Sequence, residues 1–246
     1  KNIQHLLFVP TGSLGSIPLN ILVTEEPRNI QKKNIHKNYL TTAWLTKKYS
    51  VTRLPTISSL QALRTFKTEN IPQNPFIGFG DPILNKKIGE IRGIRIQQNS
   101  KSNNMITEQI SELPELPETS NELKIIAQYL QANKENIYLR ERATETVLKN
   151  INLSNTRVVA FATHGLLGGE IDGLTEPALV LTPPNLVTKN DDGLLKASEI
   201  TQLSINADMI LLSACNTASS NKIGSEGLSS LARAFIYAGA KSLLVS

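Results

Sequence analysis

The chain has 246 residues, 40% of them apolar and 19% charged, a composition that excludes a collagen-like, a disordered or a membrane-embedded protein. Its 26 Lys and Arg against 21 Asp and Glu give a net charge of +5, and the basic residues are scattered, so no nucleic-acid-binding arm is expected. A single cysteine rules out an internal disulfide and every cysteine-rich zinc site.

The first predicted element is a short apolar strand, His5 to Pro10, followed by a Gly- and Ser-rich turn and a second apolar stretch from Ile17 to Val23. Residues 25–38 are polar and read as a loop. Residues 39–48 suit either strand or helix, and 49–54 alternate as a strand does. Leu60, Leu63 and Phe66 repeat at helical spacing. Phe76 to Gly80 reads as a buried strand that stops at Asp81-Pro82. Residues 85–104, rich in Lys, Asn, Gln and Ser, read as a surface insertion.

A second block starts near Leu113. Thr119 or Ser120 caps a predicted helix carrying Leu123, Ile126, Ala127 and Leu130 on one face. A short strand is expected at 136–139 and a helix from 143 to about 150. Arg157 to Ala162 is a continuous apolar strand that runs into Thr163-His164-Gly165. Further strands are expected at 177–182, 208–213 and 241–246, with a helix inside 194–203 and another over 224–237. Wholly apolar strands alternating with helices predict an α/β fold, in which a parallel-rich sheet is covered by helices on both faces. Ligands of such sheets gather at the carboxyl ends of the strands.

His164 and Cys215 both fall at such ends, 51 positions apart. A free thiol has a pKa near about 8.5 and is a poor nucleophile until a base takes its proton; an imidazole, near about 6.5, is suited to that task. The backbone N–H groups of Gly165 and Cys215 are candidates to stabilise an oxyanion. Spacing alone leaves the ordinary readings open: a cysteine at a strand end that serves as a small buried hydrophobe, and a histidine that serves as a turn residue. Other motifs fail. Gly78-Phe79-Gly80 lacks the third glycine of a dinucleotide loop, Ala240-Lys241-Ser242 lacks the glycine of a P-loop, and no nucleophile elbow occurs. No cofactor and no metal is expected.

Ala162-Thr163-His164-Gly165, Asp192-Gly193-Leu194-Leu195 with Ala197-Ser198-Glu199-Ile200, Leu211 to Thr217 and Glu226-Gly227-Leu228 resemble the CHAT domain. This caspase-like, separase-related peptidase domain is often fused to tetratricopeptide repeats. Leu7 to Pro10, Phe79 to Pro82 and Leu116 to Glu122 extend the resemblance to nearly the whole chain. The resemblance implies a caspase-like fold and a cysteine endopeptidase with Cys215 as nucleophile, His164 as general acid and base, and Gly165 as an oxyanion donor. It also implies substrate-binding roles for Ser213, two residues before the nucleophile, and for Asp172 and Glu226. Asp172 alternatively reads as an exposed loop acid, and Glu226 as an acid favoured by a helix N-terminus. On this reading residues 1–112 are an N-terminal half, a degenerate and non-catalytic one, and 113–246 carry the catalysis. The expected partners are a protein or peptide substrate and a repeat-containing regulatory region, without nucleic acid or membrane. The start at Lys1 and the apolar end at Ser246 suggest a piece of a longer protein, and a cytoplasmic, reducing location is expected. The family's usual Leu-Trp segment after the last strand is not in the sequence given.

Overall fold

The computed structural model describes residues 3–9, 19–26, 35–54, 57–65, 72–85, 106, 108–184, 187–188, 190–213 and 224–245. Of the expected insertion over 85–104 only Asn85 is described; its remainder, Phe66 and Cys215 lie outside the described residues. By packing, the chain forms two compact units, Lys1–Glu69 and Asn70–Ser246.

In the first unit, β1 (His5–Phe8) and β2 (Ser50–Arg53) pair in parallel, with His5 opposite Ser50 and Phe8 opposite Arg53. Among the described residues these two strands pair only with each other. Three short helices accompany them: α1 (Ile35–Thr41), α2 (Leu45–Lys48) and α3 (Ile57–Thr65). Helix α1 replaces part of the loop expected over 25–38, and the ambiguous 39–48 stretch is helical at 39–41 and 45–48, with a break at 42–44. The indole Nε1–H of Trp44 donates to Tyr39 O at 2.9 Å, which ties α1 back to the start of α2.

The second unit is built on five parallel strands: β3 (Asn74–Gly80), β4 (Ile137–Leu139), β5 (Thr156–Ala162), β9 (Met209–Ser213) and β10 (Leu243–Val245). Their spatial order is β10-β9-β5-β3-β4. Strand β3 lies N-terminal to position 112 yet pairs on both sides, with β4 and β5, which is why residues from 70 onward pack with this sheet. Helices cover both faces. On one, α4 (Glu118–Tyr129) sets Leu123 and Ala127 against Phe76, Ala160 and Ala162. On the other, α5 (Glu145–Asn150), α6 (Ala197–Ile200) and α7 (Gly224–Tyr237) pack Leu148, Ile200, Leu231 and Phe235 onto Phe79, Val159, Phe161, Ile210 and Leu212. The two-residue period of a strand explains the division: even positions of β5 face α4 and odd positions face α7. The α/β expectation, a parallel-rich sheet between helices, holds.

Two packing features set the shape of this unit. Phe79 stacks on Tyr138 at 4.8 Å and on Phe161 at 5.8 Å, and Phe161 meets Phe235 at 5.4 Å, so an aromatic row crosses the sheet and ends on α7. On the opposite face, a Cβ on Gly80 would stand 2.7 Å from Leu123 Cδ1 and 2.9 Å from Ala162 O. Helix α4 therefore rests directly on the glycine surface of β3.

The strand expected over 177–182 does not join the parallel sheet. Strand β7 (Ala178–Val180) pairs antiparallel with β6 (Gly165–Leu166) and β8 (Leu194–Lys196) in a separate three-stranded sheet over Leu84, Ile110, Ile171 and Leu174. The helix expected inside 194–203 is α6, Ala197–Ile200, and the strand Leu194–Lys196 leads into it. No helix among the described residues is long and apolar enough to cross a membrane.

Candidate active site

His164 stands two residues beyond the end of β5 and is only 4% exposed. A buried imidazole needs hydrogen-bond partners. The backbone of this turn is held by β7: Val180 N–H donates to His164 O at 2.9 Å, and Thr163 Oγ1 donates to Val180 O. The ring is held by the chain leading into α4, where His164 Nε2 lies 2.7 Å from Pro114 O. A carbonyl only accepts, so Nε2 is the nitrogen that carries the proton. In the neutral ring Nδ1 is then left with the lone pair.

Gly165 opens β6 opposite Leu179. The bond from Val180 N–H to His164 O makes Gly165 and Leu179 a non-hydrogen-bonded pair of the antiparallel ladder. The β6–β7 ladder accordingly takes no bond from the Gly165 N–H.

Ser213 ends β9, and its register partner on β5 is Ala162. The two strands leave the sheet side by side, Ala162 two residues before His164 and Ser213 two residues before Cys215. Ser213 Oγ donates to Glu122 Oε2 of α4 at 3.1 Å. His164 and Ser213 are therefore both held by the α4 side of the sheet, through Pro114 and Glu122. Glu122 and the Pro114 carbonyl were not picked out as functional by the sequence reading. Glu122 sits 91 positions from Ser213, and a backbone carbonyl carries no side-chain signature.

The remaining sequence candidates are less engaged. Asp172 is exposed in the loop after β6, where its backbone N–H donates to Gln109 Oε1 at 2.8 Å, and no described contact links it to His164 or Ser213. Glu226 falls in the first turn of α7, and its side chain lies outside the described residues, as Cys215 does.

A buried acid braces the 190–196 segment. Glu145, the first residue of α5, is fully buried. Its Oε1 accepts from the N–H groups of Asp192 at 2.9 Å and Gly193 at 2.8 Å, and its Oε2 accepts from Lys149 Nζ at 2.7 Å. Lys149 Nζ also donates to Glu199 Oε1 and to Asn190 O. Burial pushes the Glu145 carboxyl up from 4.5 to about 7; the bond from Lys149 pulls it down, and the nearby Glu199 and Asp192 add to the rise. Burial works against the Lys149 ammonium, yet its bonds to Glu145 and Glu199 outweigh this and raise its pKa. Gly193 turns the chain into β8 at φ +87°, with Pro183 atoms 3.0 to 3.2 Å from where a Cβ would be, so a side chain there would be both strained and crowded. Among the described residues, no three or more His, Cys, Asp or Glu side chains are grouped to hold a metal ion.

The CHAT domain family model matches residues 1–246. The chain belongs to the CHAT domain family. The CHAT domain is caspase-like and related to the cysteine peptidases, in keeping with the parallel sheet and with the placement of His164 at its carboxyl end. Among curated proteins no match is found.

Proposed function

We propose that this CHAT domain is a cysteine endopeptidase that cleaves protein substrates through a dyad of His164 and Cys215. The observation that carries the reading is the bond between His164 Nε2 and Pro114 O, which fixes the neutral tautomer with its lone pair on Nδ1. The register of Ala162 with Ser213 supports the pairing of His164 with a thiol two residues beyond Ser213.

In this mechanism Nδ1 takes the Cys215 proton and the thiolate attacks the scissile carbonyl carbon. The carbonyl electrons move to oxygen, where the Gly165 N–H stabilises the negative charge, joined by the backbone N–H of Cys215. His164 then gives its proton to the leaving amine as the C–N bond breaks, which leaves a thioester. Water, with its proton passed to His164, adds to the thioester carbon, and the Cys215 thiol leaves. Thiol, imidazole, backbone donors and water complete the cycle. Ser213 with Glu122, Asp172 and Glu226 are the proposed substrate-facing residues. A repeat-containing region or partner that recruits substrate and restrains cleavage is proposed with them, as is a cytoplasmic setting that keeps the thiol reduced.

The test incubates the chain and its Cys215→Ala variant with a peptide library and follows cleavage by mass spectrometry. Cleavage by the first and not by the second is expected. Equal cleavage by both overturns the dyad. No cleavage by either, together with a Cys215 that alkylates no faster than a free thiol, replaces the reading with a caspase-like interaction module.

A further inference from the structure

Two non-glycine residues with left-handed backbones stand at the carboxyl ends of neighbouring strands. Asp81 follows β3 at φ +45°, and Arg140 follows β4 at φ +53°. Gly80 and Leu139, the residues before them, are register partners, so the two left-handed residues are side by side. This conformation costs energy for any residue with a Cβ and persists only where the surroundings impose it. Asp81 is also nearly buried, at 7% exposure.

The two are tied to each other. Arg140 N–H donates to Asp81 O at 3.1 Å, and Arg140 Nη1 donates to Asp81 Oδ1 at 3.0 Å. Thr182 Oγ1 donates to Arg140 O at 2.6 Å and accepts from Ile83 N–H at 3.0 Å, which anchors the pair to the end of β7.

Their outward contacts both run to residues 113–117. Asp81 N–H donates to Thr119 Oγ1 at 2.9 Å, and that hydroxyl donates to Leu116 O at 2.7 Å. The same Nη1 of Arg140 lies 3.6 Å from Glu115 Oε2. Prolines at 114 and 117 fix φ at both positions and restrict the residues before them, so 113–117 is a stiff strap. A stiff strap moves as a body and is aimed by its anchors. Its cargo is the Pro114 carbonyl, which holds His164 Nε2. With the Arg140 side chain 39% exposed, the ion pair adds only slightly to stability, so stability alone is a weak reason to hold two strained residues in this arrangement.

We propose that Asp81 and Arg140 are positioning residues for His164: they fix the 113–117 strap so that Pro114 O holds Nε2–H and Nδ1 is presented to the Cys215 thiol. The inference rests on the dyad reading for the thiol, while the tautomer it predicts is measurable without it.

The test uses the intact chain, whose single cysteine makes iodoacetamide alkylation report on Cys215 alone. Rates are measured across pH for wild type, His164→Ala, Asp81→Asn, Arg140→Met, Arg140→Lys and Glu115→Gln. Imidazole 15N spectra are recorded in parallel, with His164 assigned by its loss in His164→Ala. Asn tolerates the left-handed backbone, so Asp81→Asn removes charge while keeping the turn. Asp81→Asn and Arg140→Met are expected to alkylate about tenfold more slowly than wild type near about pH 6, where a thiol needs help to ionise. Glu115→Gln is expected to fall less, and Arg140→Lys to recover most of the rate. The 15N spectra of the slow variants are expected to show His164 as a tautomer mixture instead of a single Nε2–H form. Folded Asp81→Asn and Arg140→Met with wild-type rates and a wild-type tautomer overturn the proposal. If neither folds, Glu115→Gln decides, and a wild-type rate and tautomer there overturn it. An unchanged rate in His164→Ala sinks the dyad; the strap then stands or falls on the tautomer signal alone.

Discussion

Ala162 on β5 and Ser213 on β9 are direct partners in a parallel ladder, and each lies two residues ahead of a member of the proposed dyad. A motif pair separated by 51 positions in sequence thereby leaves the sheet from adjacent strands. The paired geometry predicts a thiol whose ionisation depends on His164. In wild type, Cys215 is expected to alkylate well below the ordinary thiol range of about 8.5, and His164→Ala is expected to return its pH profile to that range. A profile that His164→Ala leaves in place would count against the pairing.

Helix α4 carries Glu122 and follows the strap with Pro114, so its distance from the sheet matters to the site. Gly80→Ala forces a methyl to within 2.7 Å of Leu123 Cδ1 and 2.9 Å of Ala162 O. The variant is expected to lose about 1–3 kcal/mol by overpacking, read as a lower urea midpoint at unchanged slope. It is also expected to slow alkylation of Cys215, because a shifted α4 displaces the Pro114 carbonyl.

Phe161 is fully buried between Phe79 and Phe235, in the row that links the sheet to α7. Phe161→Ala leaves a cavity against β5, the strand that leads into His164. A loss of about 3–5 kcal/mol is expected in equilibrium denaturation, whereas Phe161→Leu is expected to cost much less.

Glu145 gives the chain a pH-dependent stability. Its folded pKa is raised to about 7 against an ordinary 4.5, chiefly by burial. The folded state therefore holds a proton there that the unfolded state has released, and stability from this group is greatest below 4.5 and falls as pH rises toward about 7. Urea midpoints of wild type are expected to decline over that window relative to Glu145→Gln, whose own curve is flatter. Parallel curves for the two proteins would remove Glu145 as the source of the slope.

Much of the fold is legible in the residues because continuous apolar runs leave few options. Phe76 to Gly80 and Val158 to Ala162 are apolar at every position, which suits only strands buried on both faces, and both form the middle of the sheet. Shorter elements escape this logic. Strand β6 has two residues and β8 three, too few to show a period, so neither is expected from the sequence. Helix α1 escapes because it is only seven residues long and buries none of them, with Ile35, Tyr39 and Leu40 exposed.

The site divides in the same way. His164 and Cys215 are candidates from the residues because both follow apolar strands, and the resemblance to the CHAT domain is what singles them out. What holds them is not local. The Pro114 carbonyl reaches His164 across 50 positions, Glu122 reaches Ser213 across 91, and Asp81 reaches Arg140 across 59. One of these partners is a backbone atom and two are ordinary surface-type side chains, so none is marked by residue type. They become partners only because α4 settles on the glycine surface of β3 and brings the strap that precedes it over the carboxyl ends of the strands. Sequence marked His164 and Cys215 as the candidates for reaction. Tertiary packing decided which nitrogen of His164 carries the proton and which residues hold it there.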